Sequence, residues 1–279
     1  MSRFSNKTVI VTGSSNGIGR TVALMFAVDG ANVTITGRNS QRLLETKEQI
    51  LKTGVPENQV NLVVADLTTS NGQDEIIQTT VAKFGGIDIF INNAGAAIPD
   101  PRGRSGTDES METFHKNLQI NLQSVVEMTQ KVKPYLVASK GDMVNVSSTA
   151  AGPQAHPDFI YYSTAKAALD QYSRSIAIDL IQHGVRVNTV SPGLVVTGFT
   201  SAMGVPDEAK QKFIKFFESR KECLPIGKAA CPEDIGNLIL FLADRNLSWY
   251  IIGQTIVADG GTTLMLGVHA HNIKEIMGF

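Results

Sequence analysis

The chain has 279 residues, 42% of them hydrophobic and 18% charged, and 25 Lys and Arg against 26 Asp and Glu leave a formal net charge of -1. That mixture can bury a sizeable core, which excludes a disordered chain. The near-neutral balance gives no electrostatic reason to expect nucleic acid or an anionic membrane surface as partner. Cys223 and Cys231 are too few for a disulfide framework or a four-cysteine zinc site, so reduced thiols in a cytoplasmic setting are expected. The N-terminal residues lack a signal-peptide apolar region, and the longest apolar runs, such as 235–243, are too short to span a bilayer.

Residues 8–12 read as a buried strand, 18–28 as a helix stopped by Asp29-Gly30, and 31–36 as a second strand. A helix follows over 40–51, with Ser40 as its N-cap. Further strands are expected at 60–65, 87–92, 143–147, 185–190 and 254–258, with helices near 74–84, 111–137 and 162–183. Residues 96–109, rich in Gly, Pro and Asp, read as a long surface loop, and 206–221 as an inserted helical segment. Strands alternating with helices imply βαβ units, and right-handed crossovers wind these into an α/β fold, a doubly wound parallel sheet with helices on both faces. No repeat or linker-like shift divides the chain, so 1–279 is read as a single domain.

The turn between the first strand and first helix is Thr12-Gly13-Ser14-Ser15-Asn16-Gly17-Ile18-Gly19. Glycines let the backbone turn tightly and approach a diphosphate. The helix start adds free N–H groups and the positive end of the dipole. The spacing Gly13, Gly17, Gly19 is not the commoner G-x-G-x-x-G, and the turn gains weight from its place between strand and helix.

The second strand ends in Thr36-Gly37-Arg38-Asn39. A site preferring NAD would offer an acidic side chain there for the ribose 2′-OH. Arg38 instead suits a 2′-phosphate by charge and fork geometry, so NADP is expected over NAD; the alternative is a solvated surface arginine. Asp66, after the third strand, can accept from an adenine amino group or serve as a turn or capping aspartate.

Tyr162 and Lys166 lie four apart at the start of a helix and so share one face. A free phenol, with a pKa of about 10, is a poor acid–base catalyst near neutrality. A neighbouring ammonium favours the phenolate, and a phenol tuned in this way can hand a proton to a carbonyl oxygen or take one from an alcohol.

With this pair in view, the chain resembles the short-chain dehydrogenase/reductase family. The matching residues are the Thr12–Gly19 turn, Asp66-Leu67, Asn92-Asn93-Ala94-Gly95, Asn121, Ser147-Ser148, Tyr162 with Lys166, and Ser191-Pro192-Gly193 with Thr197, in family order over residues 8–262. The resemblance implies a Rossmann-like sheet with a seventh strand, and hydride transfer between a nicotinamide and a carbonyl or alcohol carbon. Tyr162 is then the general acid/base, and Lys166 lowers its pKa and hydrogen-bonds the nicotinamide ribose. Asn121 holds a water of the proton relay; Asn117 also stands in an Asn-Leu pair, and Asn121 is preferred for its context with Ser124. The cofactor set comprises Gly13, Ser15, Asn16, Gly17, Ile18, Gly19, Arg38, Asp66, Leu67, Asn93, Ala94, Gly95, Tyr162, Lys166, Pro192, Gly193, Val195 and Thr197. Within it, Val195 offers backbone groups to the carboxamide and Thr197 bonds the diphosphate or carboxamide.

The family's substrate-orienting serine usually precedes the tyrosine by thirteen residues, which here lands on Thr149. Counting along the strand assigns the role to Ser148, with Ser147 as the alternative and one extra residue in the loop before Tyr162. Tyr161 is thirteen beyond Ser148 but has Ala165, not lysine, four residues on.

Residues 198–221 are expected to form a lid, with Phe199, Met203, Phe213, Phe216 and Phe217 covering an apolar substrate or packing elsewhere; Gln154, Phe159 and Tyr161 are further candidates to face the site. The local look is closest to tropinone-reductase-like and sugar- or steroid-type members of the family. His269 and His271 read as a solvated tail and not a metal site. The resemblance further implies a homotetramer or dimer, with the helices near 111–137 and 162–183 as contact faces. The leading expectation is an NADP-dependent carbonyl reductase or alcohol dehydrogenase. The alternatives are a catalytically silent NADP-binding scaffold or sensor, and a Rossmann-type methyltransferase, which needs no Tyr–Lys pair.

Overall fold

The computed structural model describes residues 2–198 and 206–266. Seven strands form one parallel sheet: β1 (Thr8–Thr12), β2 (Asn32–Gly37), β3 (Val60–Val64), β4 (Ile89–Asn92), β5 (Asp142–Val146), β6 (Arg186–Pro192) and β7 (Thr255–Ala258). Their order is β3-β2-β1-β4-β5-β6-β7, a Rossmann-like α/β arrangement. The helices are α1 (Gly17–Val28), α2 (Ser40–Lys52), α3 (Ser70–Phe84), α4 (Met111–Leu118), α5 (Ser124–Ser139), α6 (Ile160–Ile181), α7 (Asp207–Glu218), α8 (Pro232–Ala243) and α9 (Arg245–Ser248).

Strand residues alternate between two apolar layers, because successive side chains leave opposite faces of a sheet. Val9, Val11, Ile89, Ile91, Val144 and Val146 pack with α1, α2 and α8. Ile10, Phe90, Met143 and Val187 pack with α3, α5 and α6. Burial on both sides explains why β1 and β4 read as unbroken apolar runs. The strand order reverses between β1 and β4, and such a switch point opens a crevice at the carboxyl ends of the strands.

Two local readings change, and a third segment gains its place. The cap of α2 is Asn39, whose Oδ1 accepts from Arg42 N at 2.9 Å; Asn39 is extended, whereas Ser40 is already helical and cannot cap. The helix expected over 111–137 is two helices, α4 and α5, joined by a π turn at Gln119–Gln123, and α5 runs on to Ser139. The apolar run 235–243 is the buried side of α8, which begins at Pro232.

The 96–109 loop has no strand or α-helix, yet it is anchored in its middle by the buried Asp100. That carboxylate accepts from Arg104 Nε and Nη2, Arg102 N, Ser110 N and Thr113 Oγ1. Arg104 first, then the backbone donors, hold its carboxyl well below the usual range. Among the described residues no helix is long and apolar enough to cross a membrane.

Candidate active site

The glycine turn lies at the end of β1, against the start of the loop after β4. A Cβ on Gly13 would stand 2.9 Å from Ala94 Cα, and one on Gly19 would run into Asn93 Nδ2. Asn93 is turned toward this corner: its Nδ2 donates to Thr12 O at 2.8 Å and Gly13 O at 3.3 Å. Its backbone N–H and that of Ala94 both donate to Thr12 Oγ1 at 3.0 Å. Asn16 caps α1, its Oδ1 accepting from Gly17 N at 2.6 Å. The corner therefore holds the start of a helix, its first N–H taken by Asn16, with Gly13, Gly17 and Gly19 letting the backbone come close. That is what a dinucleotide diphosphate requires, and the residues present fit such a group.

Arg38 is exposed at the end of β2, with no hydrogen-bond or ion-pair partner among the described residues. Its charge reaches Asp66 at the end of β3. Burial raises the Asp66 pKa, but hydrogen bonds from Thr68 and the nearby Arg38 outweigh it, so the carboxyl lies lower than usual. Asp66 Oδ1 accepts from Thr68 N at 2.9 Å and Thr68 Oγ1 at 2.8 Å, the turn geometry of an aspartate. Leu67 is buried beside it.

Tyr162 and Lys166 occupy the first turns of α6, with Lys166 Nζ 5.8 Å from the phenol ring centre. The lysine is only 3% exposed and donates from Nζ to Val146 O at 2.8 Å. Burial pushes the ammonium down to about 8, while Asp170 works in the opposite direction. Burial also pushes the Tyr162 phenol up to about 12, opposed by a hydrogen bond with Ser148. The phenol thus stands above its ordinary value, not below it as the ammonium was expected to place it. In this state the ammonium is spent on a backbone carbonyl, and desolvation dominates.

The two serines at the end of β5 face different neighbours. Ser148 meets the phenol and accepts from Ala150 N at 3.1 Å. Ser147 is buried, 3.5 Å from Lys166 O, and bonds Asp170.

The two asparagines also separate. Asn121, fully buried in the π turn, donates from Nδ2 to Ala96 O and Asn117 O and accepts at Oδ1 from Ala96 N. Asn117 clamps the backbone of Ile98 in the same two-way fashion. Only Asn121 stands by the lysine: a Cβ on Gly95 would come 2.8 Å from Asn121 Oδ1 and 3.2 Å from Lys166 Nζ.

Beyond β6, Gly193 lies against Asp259, where a Cβ would come 2.6 Å from the aspartate Cβ. Val195 pairs with Ala230 through the flanking groups Val196 N and Leu194 O, which leaves its own N–H and C=O on the other side of the segment. Thr197 closes over the start of α1, 3.0 Å from where a Gly17 Cβ would be. Lys210 of α7 donates to the Thr197 carbonyl. Phe217 contacts Phe213 and Phe216 on α7, which has no buried residue. Phe199 and Met203 of the expected lid, and His269 and His271, lie outside the described residues. Phe159 and Tyr161 share with Tyr162 a cavity of about 220 Å³ under the 96–109 loop. Gln154 does not; its Nε2 donates to Thr263 O.

Residues 13–263 match a family described as enoyl-(acyl carrier protein) reductase. A crystal structure of a short-chain dehydrogenase/reductase of unknown function from Caenorhabditis elegans, with cofactor, is 67% identical with a TM-score of 0.95, covering 97% of this chain and 100% of that one. The chain belongs to the short-chain dehydrogenase/reductase family. A glucose dehydrogenase of Caenorhabditis elegans in the apo-form is 52% identical, with a TM-score of 0.81 over 94% of this chain and 100% of that one. A tropinone reductase homolog of Arabidopsis thaliana is 36% identical over 92% of this chain and 91% of that protein. This family member is accordingly an NAD(P)-dependent oxidoreductase acting on CH–OH or C=O groups.

Asn145 and Ser173 lie outside the motifs, and Asn92 belongs to one that does not show its partner. Asn92 Nδ2 donates to Asn145 Oδ1 at 2.9 Å, Asn145 Nδ2 to Ser173 Oγ at 2.8 Å, and Ser173 Oγ to Leu169 O at 2.7 Å. This buried chain ties β4 to β5 and both to α6. Its signal was a polar residue, Asn145, inside the otherwise apolar center of a strand. Ser14, part of the glycine-turn motif, joins β2 by accepting from Thr36 N at 2.8 Å.

Proposed function

We propose that this chain is an NADP-dependent carbonyl reductase or alcohol dehydrogenase with Tyr162 as general acid/base. The observation that carries the reading is the meeting of Tyr162, Ser148 and Lys166 at the junction of β5 and α6, beside the glycine turn. A bound nicotinamide cofactor supplies or accepts the hydride. Tyr162, protonated near neutrality, hands its phenolic proton to the substrate oxygen in reduction and takes it back in oxidation. Ser148 orients that oxygen toward the phenol. Lys166 holds the nicotinamide ribose, and Asn121 positions a water between the buried lysine and solvent. The glycine turn and the start of α1 take the diphosphate; Asp66 and Leu67 border the adenine. Arg38, uncommitted within the described residues, takes the 2′-phosphate.

A silent scaffold would have no use for all four of Asn121, Ser148, Tyr162 and Lys166, and a methyltransferase no use for the Tyr–Lys pair. The sugar and alkaloid names of the relatives place polyols and cyclic ketones in the substrate panel. Neither names the substrate here. The test is loss of NADPH absorbance with ketones, aldehydes and sugars, paired with direct NADPH binding. NADPH binding with turnover that vanishes in Tyr162→Phe supports the reading; turnover untouched by that change overturns it. The same chemistry is expected in a homotetramer or dimer.

A further inference from the structure

The buried face of α6 carries a second ionisable residue that the proposed chemistry does not use. Asp170 is 9% exposed and lies one helical turn beyond Lys166, on the same face. Among the described residues its Oδ1 has no hydrogen-bond partner, and Asp170 lines a cavity of about 100 Å³, which Ser191 and Thr255 also line. Thr255 Oγ1 is unpartnered among the described residues too. Burying a half-partnered carboxylate is costly, and an uncharged side chain of similar size would serve stability better.

The charge must therefore be read through what it faces. Burial raises the Asp170 pKa, opposed by a hydrogen bond from Ser147 and by the positive charges of Arg174, one turn further along, and of Lys166. Lys166 has Tyr162 and Asp170 on its own helix. From the neighbouring elements it meets the Val146 carbonyl of β5 and, across Gly95, the neutral amide of Asn121. Among the described residues no other charged group acts on it.

We propose that Asp170 is a positioning residue of the site: its buried carboxylate keeps Lys166 an ammonium and, through Ser147, fixes the Ser147–Ser148 corner to α6. The inference rests on the role proposed for Lys166. Burial pushes Lys166 down to about 8, so in neutral solution its charge stands on a narrow margin, and Asp170 is the group that resists the fall. In a dry interior one nearby opposite charge outweighs many distant ones.

The test reads Lys166 directly. In the cofactor-free protein, isotope-labelled lysine Cε, assigned with Lys166→Arg, is titrated by nuclear magnetic resonance. Asp170→Asn should lower the Lys166 midpoint by about one pH unit, and Asp170→Glu should restore it. Asp170→Ser, which leaves room for water, gives the same reading if the asparagine variant does not fold. An unmoved midpoint in a folded uncharged variant overturns the proposal. A parallel pH profile of turnover separates the two layers. If the midpoint falls and the alkaline limb falls with it, both stand. If the midpoint falls and the limb stays, the coupling of Asp170 to Lys166 stands and the catalytic role of Lys166 is lost.

Discussion

Asn121 and Lys166 face each other across Gly95 with no room for a methyl group between them. A Cβ there would lie 2.8 Å from Asn121 Oδ1 and 3.2 Å from Lys166 Nζ. Both side chains are fixed by backbone carbonyls, Asn121 by Ala96 and Asn117, Lys166 by Val146, so neither can step aside cheaply. Gly95→Ala should cost about 1–3 kcal/mol of stability as an overpacked site and lower turnover by roughly 10-fold or more by displacing a positioned group. Thermal melting and steady-state kinetics on the same preparation check this. Unchanged values in both would mean that the loop after β4 yields.

Tyr162 sets the direction of the pH dependence. Its phenol is pushed up to about 12, chiefly by burial. Across the neutral range it carries its proton and is poised to give one, which favours carbonyl reduction. Alcohol oxidation needs the deprotonated phenol and should rise with pH until loss of the Lys166 ammonium, above about 8, opposes it. Tyr162→Phe should reduce turnover in both directions by about 10²–10⁴-fold while NADPH affinity stays close to that of the parent. Rates in both directions against pH, with binding followed by nucleotide fluorescence, decide it. Oxidation that does not respond to pH would remove the phenol from the proton path.

The strand pattern was legible because burial on both faces produces apolar runs that period and flanking turns can delimit. β1 comes out at Thr8–Thr12, with the expected limits. Helix limits were less legible where capping decides them. Asn39 and Ser40 are both good caps, and only backbone conformation tells which lies outside the helix. The π turn at Gln119–Gln123 has no pattern of its own, since one extra residue in a turn leaves the apolar spacing on either side helical. In the site, spacing could bring Tyr162 and Lys166 together, but not show the lysine turned to Val146 O. The choice between Ser147 and Ser148 needed the strand end: adjacent residues there leave in opposite directions, one toward Asp170 and the other toward the phenol.

The polar chain Asn92–Asn145–Ser173 should matter more to stability than to chemistry. Asn145 is fully buried and both ends of its amide are engaged. Asn145→Ala would leave the Asn92 amide without its acceptor and open a small cavity, at a cost of about 2–4 kcal/mol. Chemical denaturation should register this loss. Turnover of the folded fraction should change much less, because the chain touches α6 at Ser173 and Leu169, beyond the Tyr162 end. A stability change below about 0.5 kcal/mol would show that Asn92 and Ser173 find other partners.

The proposed preference for NADP rests on Arg38. The guanidinium is exposed, and the acidic group usual in an NAD site is absent from the end of β2. A charge-assisted contact to a phosphate is worth about 1.5–3 kcal/mol, so its loss should weaken NADP binding by roughly 10–100-fold. Arg38→Asp adds a carboxylate that repels a 2′-phosphate and can accept from a free 2′-OH. It also removes the positive charge that helps to hold Asp66 low, so the Asp66 carboxyl should titrate higher in the variant. The ratio of NADP to NAD affinities, measured by calorimetry without substrate, should fall by at least the same factor. Arg38→Gln separates loss of attraction from added repulsion: it should lower that ratio less than Arg38→Asp and leave NAD affinity nearly unchanged. A ratio that both variants leave intact would assign the 2′-phosphate to another group.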